Sequence, residues 1–207
     1  MRAILDKGCE VLDLTLTDSQ KAQLIDYVEL LNKWNKVYNL TSVRDPEEMV
    51  TRHILDSLAI LPYIKGQSLL DVGAGAGLPG IPLAIANPDL KVTLLDSNSK
   101  KTRFLLQAKT ELGLDSVTVV RARVESANLE QQFDTVTARA FSTLNVLAEM
   151  AGQHCNDHGV LLLMKGTYPE KELQNIVGNF WVDDVLVLDV PGNVGKRHLV
   201  RLQRKEG

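Results

Sequence analysis

The stretch SLLDVGAGAGLPG, residues 68–80, decides how this 207-residue chain folds. A short apolar run ends in Asp71 and Val72, and a glycine-rich turn follows that leads into a helix predicted from about Leu78. Glycine lacks a Cβ, so the backbone here turns sharply and a ligand approaches it closely. The stretch therefore predicts a nucleotide-like ligand in the crevice at the carboxyl end of a strand in an α/β protein, with the free N–H groups of the following helix directed at that ligand.

Further strands and helices alternate along the chain after this stretch. Helices are predicted from residue 97 to about 112, near 143–155 and near 169–177. The predicted strands are SLLDVG, KVTLLD, VTVVR, FDTVTAR, GVLLLMKG, VDDVLVLDV and HLVRLQ, and the last two are close enough to form an antiparallel hairpin. This alternation predicts an α/β fold with a seven-stranded, mostly parallel sheet and helices on both of its faces.

The segment before the first strand is predicted to be helical throughout. The sequence TDSQ that begins at Thr17 has the pattern of a capping box. The sequence DPEE that begins at Asp45 puts a proline at the first position of a second helix, which should stop before Pro62. We expect residues 1–62 to form a helical extension that packs on a domain of residues 63–207.

The composition excludes several classes of protein. With 44% hydrophobic and 24% charged residues, the chain is neither disordered nor a disulfide-stapled mini-protein. Its net charge of −3 means that a site for a polyanion would be a local patch. Cys9 and Cys155, both in predicted helices, lack the spacing of a disulfide framework or a zinc site, so we expect no metal. The sequence shows no signal peptide and no run of about 20 apolar residues, which predicts a cytoplasmic protein without a membrane partner, and nothing in it requires more than a monomer.

Two cofactors compete for the glycine-rich loop. Asp96 closes the next predicted strand, about twenty residues further on, where an acid hydrogen-bonds ribose hydroxyls. The sequence GAGLPG, residues 75–80, matches the NAD fingerprint, and an NAD-dependent oxidoreductase remains an alternative on that ground. Asp71, however, would meet a pyrophosphate with a like charge, whereas S-adenosylmethionine carries an ammonium and a sulfonium group and no phosphate. The residues therefore favour a methyl donor over NAD.

Several blocks of the chain resemble one known family. The acid-x-Gly-x-Gly-x-Gly turn, with an acid closing the second strand, resembles the class I S-adenosylmethionine-dependent methyltransferases, which have a Rossmann-like fold. Over about residues 17–200, the chain is similar to the bacterial small-subunit ribosomal RNA guanine-N7 methyltransferases. The blocks that carry this similarity are LLNKWNKVYNLTSVRDPEEMVTRHILDSL, DVGAGAGLPGIPLAI, RARVES, TARAF, LMKG and RHLV.

This resemblance implies an activity and a set of cofactor contacts. The activity is transfer of a methyl group from S-adenosylmethionine to N7 of one guanine in 16S ribosomal RNA. Ala74 departs from the family, in which many members have Ser or Thr at that position. The resemblance implies cofactor contacts at Gly73, Leu78, Val124, Glu125 and Arg139, and the pattern of the loop and of the two strand ends adds Asp71, Gly75, Gly77 and Asp96.

The implied chemistry needs positioning and no general base. Guanine N7 exposes a lone pair and carries no proton, so alignment of the reactants supplies the catalysis. Arg139, at a strand end, is the residue predicted to position the methionine carboxylate or the RNA backbone. Phe141 beside it would either stack on a base or pack in the core. His53 is predicted to be a packed or capping histidine and no catalyst.

An RNA substrate, either 16S ribosomal RNA or the 30S subunit, requires basic residues around the pocket. The target guanine should be unpaired or splayed out, because a folded RNA helix buries N7 in a deep, narrow groove. A non-catalytic ribosome-assembly factor is a third hypothesis, and it predicts RNA binding without turnover. The residues predicted to contact RNA are Lys100, Arg123, Lys165 and Arg197.

Overall fold

The computed structural model describes residues 1–139, 143–174, 176, 178–193 and 195–205. The helices are α1 (Arg2–Val11), α2 (Asp18–Tyr38), α3 (Pro46–Met49), α4 (Asp56–Leu58), α5 (Gly80–Ala86), α6 (Ser99–Glu111), α7 (Leu144–Gly152) and α8 (Glu170–Leu173). A π-helical turn, Val50–Leu55, joins α3 to α4, and 3-10 turns lie at Leu61–Tyr63 and Val124–Ser126. The strands are β1 (Ser68–Val72), β2 (Lys91–Leu95), β3 (Val117–Val120), β4 (Phe133–Arg139), β5 (Cys155–Lys165), β6 (Phe180–Leu188) and β7 (Arg197–Arg204).

The strands form one sheet whose order places β1 near the centre. The order is β3-β2-β1-β4-β5-β7-β6, and the first five strands in that order are parallel. Strand β7 runs antiparallel to both β5 and β6, so the predicted antiparallel edge is confirmed. The chain adds β2 and β3 on one side of β1 and then crosses to β4 on the other side. This reversal next to β1 is the position at which open α/β sheets bind ligands, beyond the carboxyl ends of the strands.

Both faces of the sheet are covered, as predicted. Successive side chains on a strand point to opposite faces, and the core accordingly divides at β1. Leu69 belongs to a hydrophobic cluster that includes residues of α1, α2, α5 and α6. Leu70 belongs to a second cluster, which includes residues of α7. The N-terminal helices thus share a core with one face of the sheet, while the predicted division of the chain at residue 62 stays a prediction.

The predicted start signals of the N-terminal helices are present. Thr17 Oγ1 accepts a hydrogen bond from the Gln20 backbone N–H, and the Gln20 side chain accepts from the Thr17 N–H, so the capping box is closed. Asp45 caps α3 by accepting from the Glu47 N–H at 2.8 Å. Tyr27, which is fully buried on α2, donates its hydroxyl hydrogen bond to the carbonyl of Ala76. Helix α2 is therefore tied directly to the glycine-rich loop.

Replacing Tyr27 by Phe should lower the free energy of unfolding by about 1–2 kcal/mol, because it leaves a buried carbonyl without its donor. For a chain of this length the melting temperature should fall by about 3–6 °C. Tyr38→Phe is the matched control, since Tyr38 stacks on Trp34 through its ring and that contact survives the change. Thermal unfolding followed by circular dichroism measures both variants, and equal shifts in the two would contradict a role for the Tyr27 hydroxyl.

Several predicted boundaries were wrong. Cys155 was placed in a helix near 143–155, but α7 ends at Gly152 and Cys155 begins β5, because it pairs there with Phe133 of β4. The helix predicted near 169–177 ends at Leu173. The second N-terminal helix contains a π-helical turn and reaches only Leu58.

Candidate active site

The glycine-rich loop between β1 and α5 has a backbone that requires glycine. Gly73, Gly75 and Gly77 have φ angles of +68°, +59° and +85°. A Cβ on Gly77 would lie 2.4 Å from Cδ1 of Ile81, so this position rejects a side chain on two independent grounds. The loop is anchored to β2, because the N–H groups of Gly73 and Ala74 both donate to the Leu95 carbonyl. The loop is thereby fixed over the carboxyl ends of β1 and β2.

Asp71 lies beneath this loop. Two cavities flank the loop, and the Asp71 side chain lines neither of them. Its side chain is fully buried, and Oδ2 accepts from the Gly80 N–H at 2.9 Å. In the described part of the chain nothing donates to the other oxygen, Oδ1. Burial raises the pKa of Asp71 to about 7, against the hydrogen bond from Gly80 and the positive charge of Arg139, which both lower it.

The start of α5 therefore differs from the prediction. The sequence suggested that the first N–H groups of this helix would point at a ligand. Instead, the Gly80 N–H donates to the Asp71 carboxyl and the Ile81 N–H donates to the Gly77 carbonyl. Pro79 and Pro82 have no N–H to offer. The N–H groups at the start of α5 are therefore hydrogen-bonded within the protein, and Asp71 holds the end of the loop from its buried side.

Asp96, at the end of β2, lines one of the cavities beside the loop, whereas Asp71 lines neither. Its Oδ2 accepts from the Gly75 N–H at 2.9 Å and its Oδ1 accepts from the Asn98 N–H at 2.8 Å. Lys101 Nζ lies 3.8 Å from Oδ2. Each carboxylate oxygen has a second lone pair, so Asp96 organises the loop and still offers acceptors to a ligand.

Two cavities flank the glycine-rich loop and share Gly73 and Lys101. The first, which we call the Asp96 cavity, has a volume of about 300 Å³ and is also lined by Asp96, Val124 and Glu125. Val124 is buried, whereas Glu125 is exposed. The second, the loop cavity, has a volume of about 290 Å³. The loop cavity is lined by residues 73–76, Leu40, Thr41, Leu78, Lys101 and Arg139.

Arg139, at the end of β4, belongs to an ion-paired cluster that sequence reasoning missed. Its Nη1 donates to Oδ2 of Asp56 at 3.0 Å and also to the carbonyl of Arg52. The other oxygen of Asp56, Oδ1, accepts from Nε of Arg197 at 2.9 Å. The side chain of Asp56 is only 3% exposed. An acid within the apolar segment HILDSL was the sequence signal, because a buried carboxylate requires partners.

His53 also borders this cluster, and its hydrogen bonds fix its tautomer. The Arg52 carbonyl lies 2.9 Å from Nδ1 and only accepts, so Nδ1 carries the hydrogen. Nε2 then accepts from the Thr41 hydroxyl at 2.8 Å. Burial, and secondarily the charge of Arg139, lower the pKa of His53 to about 4. His53 is a packed, neutral histidine whose lone pair is already used.

The residues predicted to contact RNA fall into two groups. The side chains of Lys100 and Arg123 are exposed. Lys165 Nζ lies 2.9 Å from Glu172 Oε2, and Arg197 is paired with Asp56, so each of these two has an ion-pair partner within the protein. Phe141, predicted to stack on a base or to pack, lies outside the described residues.

Other features of the described chain lie apart from this site. A larger cavity, of about 890 Å³, is lined by Lys65, His158 and Arg204 at the opposite edge of the sheet and contains none of the predicted site residues. No group of three or more His, Cys, Asp or Glu side chains among the described residues is arranged to hold a metal ion. None of the helices described is both long and apolar enough to cross a bilayer.

The sheet order, the antiparallel edge and the cavities beyond β1, β2 and β4 define a class I methyltransferase fold. A solved glycopeptide N-methyltransferase, MtfA, in complex with S-adenosyl-L-homocysteine has the same fold, with a TM-score of 0.64 over 73% of this chain and 87% of that one, at 14% identity.

The chain belongs to the family described as GidB, rRNA small subunit methyltransferase G, whose model matches residues 20–200. It is 47% identical to a ribosomal RNA small subunit methyltransferase G of Alteromonas mediterranea, over 99% of this chain and 97% of that protein. It is 49% identical to the protein of the same name from Actinobacillus pleuropneumoniae, over 99% of each chain. The resemblance drawn from the sequence blocks is thereby confirmed.

Proposed function

We propose that this protein transfers the methyl group of S-adenosylmethionine to N7 of a guanine in 16S ribosomal RNA of the small ribosomal subunit. The observation that carries the proposal is the family membership over nearly the whole chain. It also disfavours an NAD-dependent oxidoreductase and a non-catalytic assembly factor. Action in the cytoplasm and as a monomer stays a prediction.

The two cavities beside the glycine-rich loop fit S-adenosylmethionine. A donor with a nucleoside at one end and an amino acid at the other requires two adjoining spaces of different chemistry. The Asp96 cavity offers carboxylate acceptors for ribose hydroxyls at Asp96 and for an adenine amino group at Glu125, and an apolar wall at Val124. The loop cavity offers a cationic group, Arg139, for a carboxylate. We assign the remaining contacts to the backbone of Gly73 and Gly75 and to Leu78, whereas Gly77 lines neither cavity and donates its N–H to the Ala74 carbonyl, so its part is to shape the loop.

The residues of the site position the reactants and move no proton. When bound, S-adenosylmethionine supplies a methyl group on a positively charged sulfur. Guanine N7 has a free lone pair, so no side chain has to deprotonate it. His53 is neutral and already hydrogen-bonded, which agrees with a site without a general base. Arg139 lines both the loop cavity and the cavity next to it, which suits a residue that aligns the two reactants.

The proposed activity is tested by incubating the protein with labelled S-adenosylmethionine and under-methylated 30S subunits or naked 16S RNA. We expect label in N7-methylguanine when the RNA is digested to nucleosides and separated by mass. Reactions without protein, and with excess S-adenosylhomocysteine, are the controls. Absence of N7-methylguanine from both substrates would defeat the proposal, and calorimetric binding of NADH in place of S-adenosylhomocysteine would favour the oxidoreductase.

Lys100→Ala should flatten the salt dependence of RNA binding. Lys100 is exposed at the first turn of α6, and a lysine that neutralises one phosphate contributes about 0.7–0.9 to the slope of log K against log salt concentration. Fluorescence anisotropy with labelled RNA at several salt concentrations measures that slope. Lys7→Ala, on an exposed face of α1, is the matched control. An unchanged slope for Lys100→Ala would remove this lysine from the interface.

A further inference from the structure

A third cavity adjoins the loop cavity on the side away from Asp96. It has a volume of about 320 Å³, which lies at the lower end of the range for small-ligand pockets. We call it the arginine cavity, because Arg52, Arg139 and Arg197 line it together with Asp56. It shares Thr41 and Arg139 with the loop cavity. Three cavities therefore follow one another along the carboxyl edge of the sheet, and Arg139 lies where the second meets the third.

The wall of the arginine cavity carries an excess of positive charge. Asp56 is one carboxylate between two guanidinium groups, Arg139 and Arg197, which come from the ends of different strands. Arg52 is matched by Glu48 at 3.5 Å and Lys165 by Glu172 at 2.9 Å. These pairs cancel, so the Asp56 cluster leaves one net positive charge facing the cavity. The amino-acid end of a donor in the loop cavity brings an ammonium with its carboxylate and leaves this sum unchanged, so one anionic group of a second ligand would balance it.

The rest of the cavity suits a flat, partly apolar ligand. Val43, Met164 and Leu188 contribute apolar surface to its lining, and all three are buried. An arginine beside a guanine donates to O6, which lies on the same edge as N7, and adenine presents an amino donor at that place. A guanidinium group at this wall would therefore accept guanine and oppose adenine.

We propose that the arginine cavity receives the target guanosine monophosphate unit of the RNA, and that Asp56 is the positioning residue that holds Arg139 and Arg197 toward it. This inference rests on the proposed function and assigns the second reactant its place. The base enters from an unpaired strand, because a stacked base does not reach an enclosed pocket. The cavity next to the loop cavity is the position from which N7 meets a donor bound there.

Photo-crosslinking tests the placement directly. The protein, saturated with S-adenosylhomocysteine so that the donor cavities are filled, is irradiated with 6-thioguanosine 5′-monophosphate, and the modified peptides are identified by mass spectrometry. We expect modification at the lining of the cavity, within residues 41–43, 52–56, 164–166 or 197–198, and competition by guanosine monophosphate about tenfold stronger than by adenosine monophosphate. Cross-links only outside these segments, or equal competition by the two nucleotides, would overturn the proposal.

Two variants separate positioning from folding. Ser42 is exposed at the rim of the cavity, so Ser42→Trp should block the nucleotide without disturbing the core and lower the cross-link yield about tenfold. Ser19→Trp, at an exposed site on α2, is the matched control and should leave the yield unchanged. Asp56→Asn should bring the ratio of competition by the two nucleotides toward one. A purely structural role for Asp56 would lower the yield and leave that ratio intact.

The outcomes distinguish this inference from the proposed function. If the parent chain forms N7-methylguanine but the cross-links lie outside the arginine cavity, the inference is wrong and the function stands. If the cross-links lie in the cavity with the expected preference and N7-methylguanine does not form, the cavity is a guanine nucleotide site and the proposed function fails.

Discussion

Asp71→Asn should become more stable relative to the parent chain as the pH rises. The difference between their free energies of unfolding should shift in favour of the variant by about 4 kcal/mol between about pH 4 and pH 8. Burial raises the pKa of Asp71 to about 7 in the folded chain, from 3.8. A carboxyl with a raised folded-state pKa contributes its full stabilisation below the unfolded-state pKa and loses it as the pH rises through the folded-state value. Asparagine does not ionise, and its amide oxygen still accepts from Gly80, so the variant escapes this loss.

His53 makes the free energy of unfolding of the parent chain depend on pH in the opposite direction over part of this range. Its pKa is lowered to about 4, from 6.5, first by burial and then by the charge of Arg139. Its stabilisation is present above the unfolded-state pKa and is lost as the pH falls through the folded-state value. Between these two values Asp71 and His53 therefore oppose each other. In Asp71→Asn the pH dependence that His53 imposes on stability is therefore no longer opposed by Asp71.

Urea unfolding of the parent chain and of Asp71→Asn at a series of pH values measures the difference in their free energies of unfolding. Asp89→Asn, at an exposed site on the surface, is the control for loss of one carboxylate. A difference that stays constant with pH for Asp71→Asn would contradict an Asp71 that keeps its proton in the folded chain to near neutral pH.

Asp71 also shows where a sequence argument about charge fails. The preference for a methyl donor over NAD used a negative charge at Asp71 facing the ligand. That charge depends on solvation, and solvation depends on the packing of α5 over β1, where Gly80 lies against the Asp71 side chain. The preference was correct for the cofactor class, but of the two carboxyl groups at the ends of β1 and β2 it is Asp96, and not Asp71, that lines a cavity.

Local chemistry explains the features that the sequence did predict. The capping box at Thr17, the cap at Asp45 and the positive-φ glycines depend on neighbouring residues alone, and each was readable from a few letters. The strand ends at Asp71 and Asp96 follow from alternation of apolar runs with helical patterns. Parallel strands then bring their carboxyl ends to one edge, which is why the candidate site could be located before its contacts were known.

The Asp56 cluster could not be predicted from the sequence, because it depends on contacts between residues that lie far apart in the chain. It joins residues 56, 139 and 197, which come from a short helix, a central strand and the antiparallel strand next to the sheet edge. Their meeting requires the crossover from β1 to β4 and the insertion of β7 between β5 and β6. No local pattern encodes those pairings. Arg139 and Arg197 were singled out as separate functional residues, and only the fold shows that one carboxylate holds both.

Asp96→Ala should weaken the binding of S-adenosylhomocysteine about 100-fold, because a hydrogen bond to a charged group is worth about 1.5–3 kcal/mol and the ligand loses its carboxylate acceptor. The carboxylate holds the N–H groups of Gly75 and Asn98, so its removal releases both the glycine-rich loop and the start of α6. It also removes the acceptor for the ribose. RNA affinity should stay nearly unchanged, since Asp96 does not line the arginine cavity.

Titration calorimetry with S-adenosylhomocysteine and anisotropy with labelled RNA separate the two effects of Asp96→Ala. The exposed Asp115→Ala is the matched control and should bind both ligands as the parent chain does. Equal losses of donor and RNA binding would mean that Asp96 supports the fold of the whole edge and has no specific part in the donor site. A loss confined to the donor would place the donor at the Asp96 cavity, because no other described contact of Asp96 reaches beyond the loop, Asn98 and Lys101.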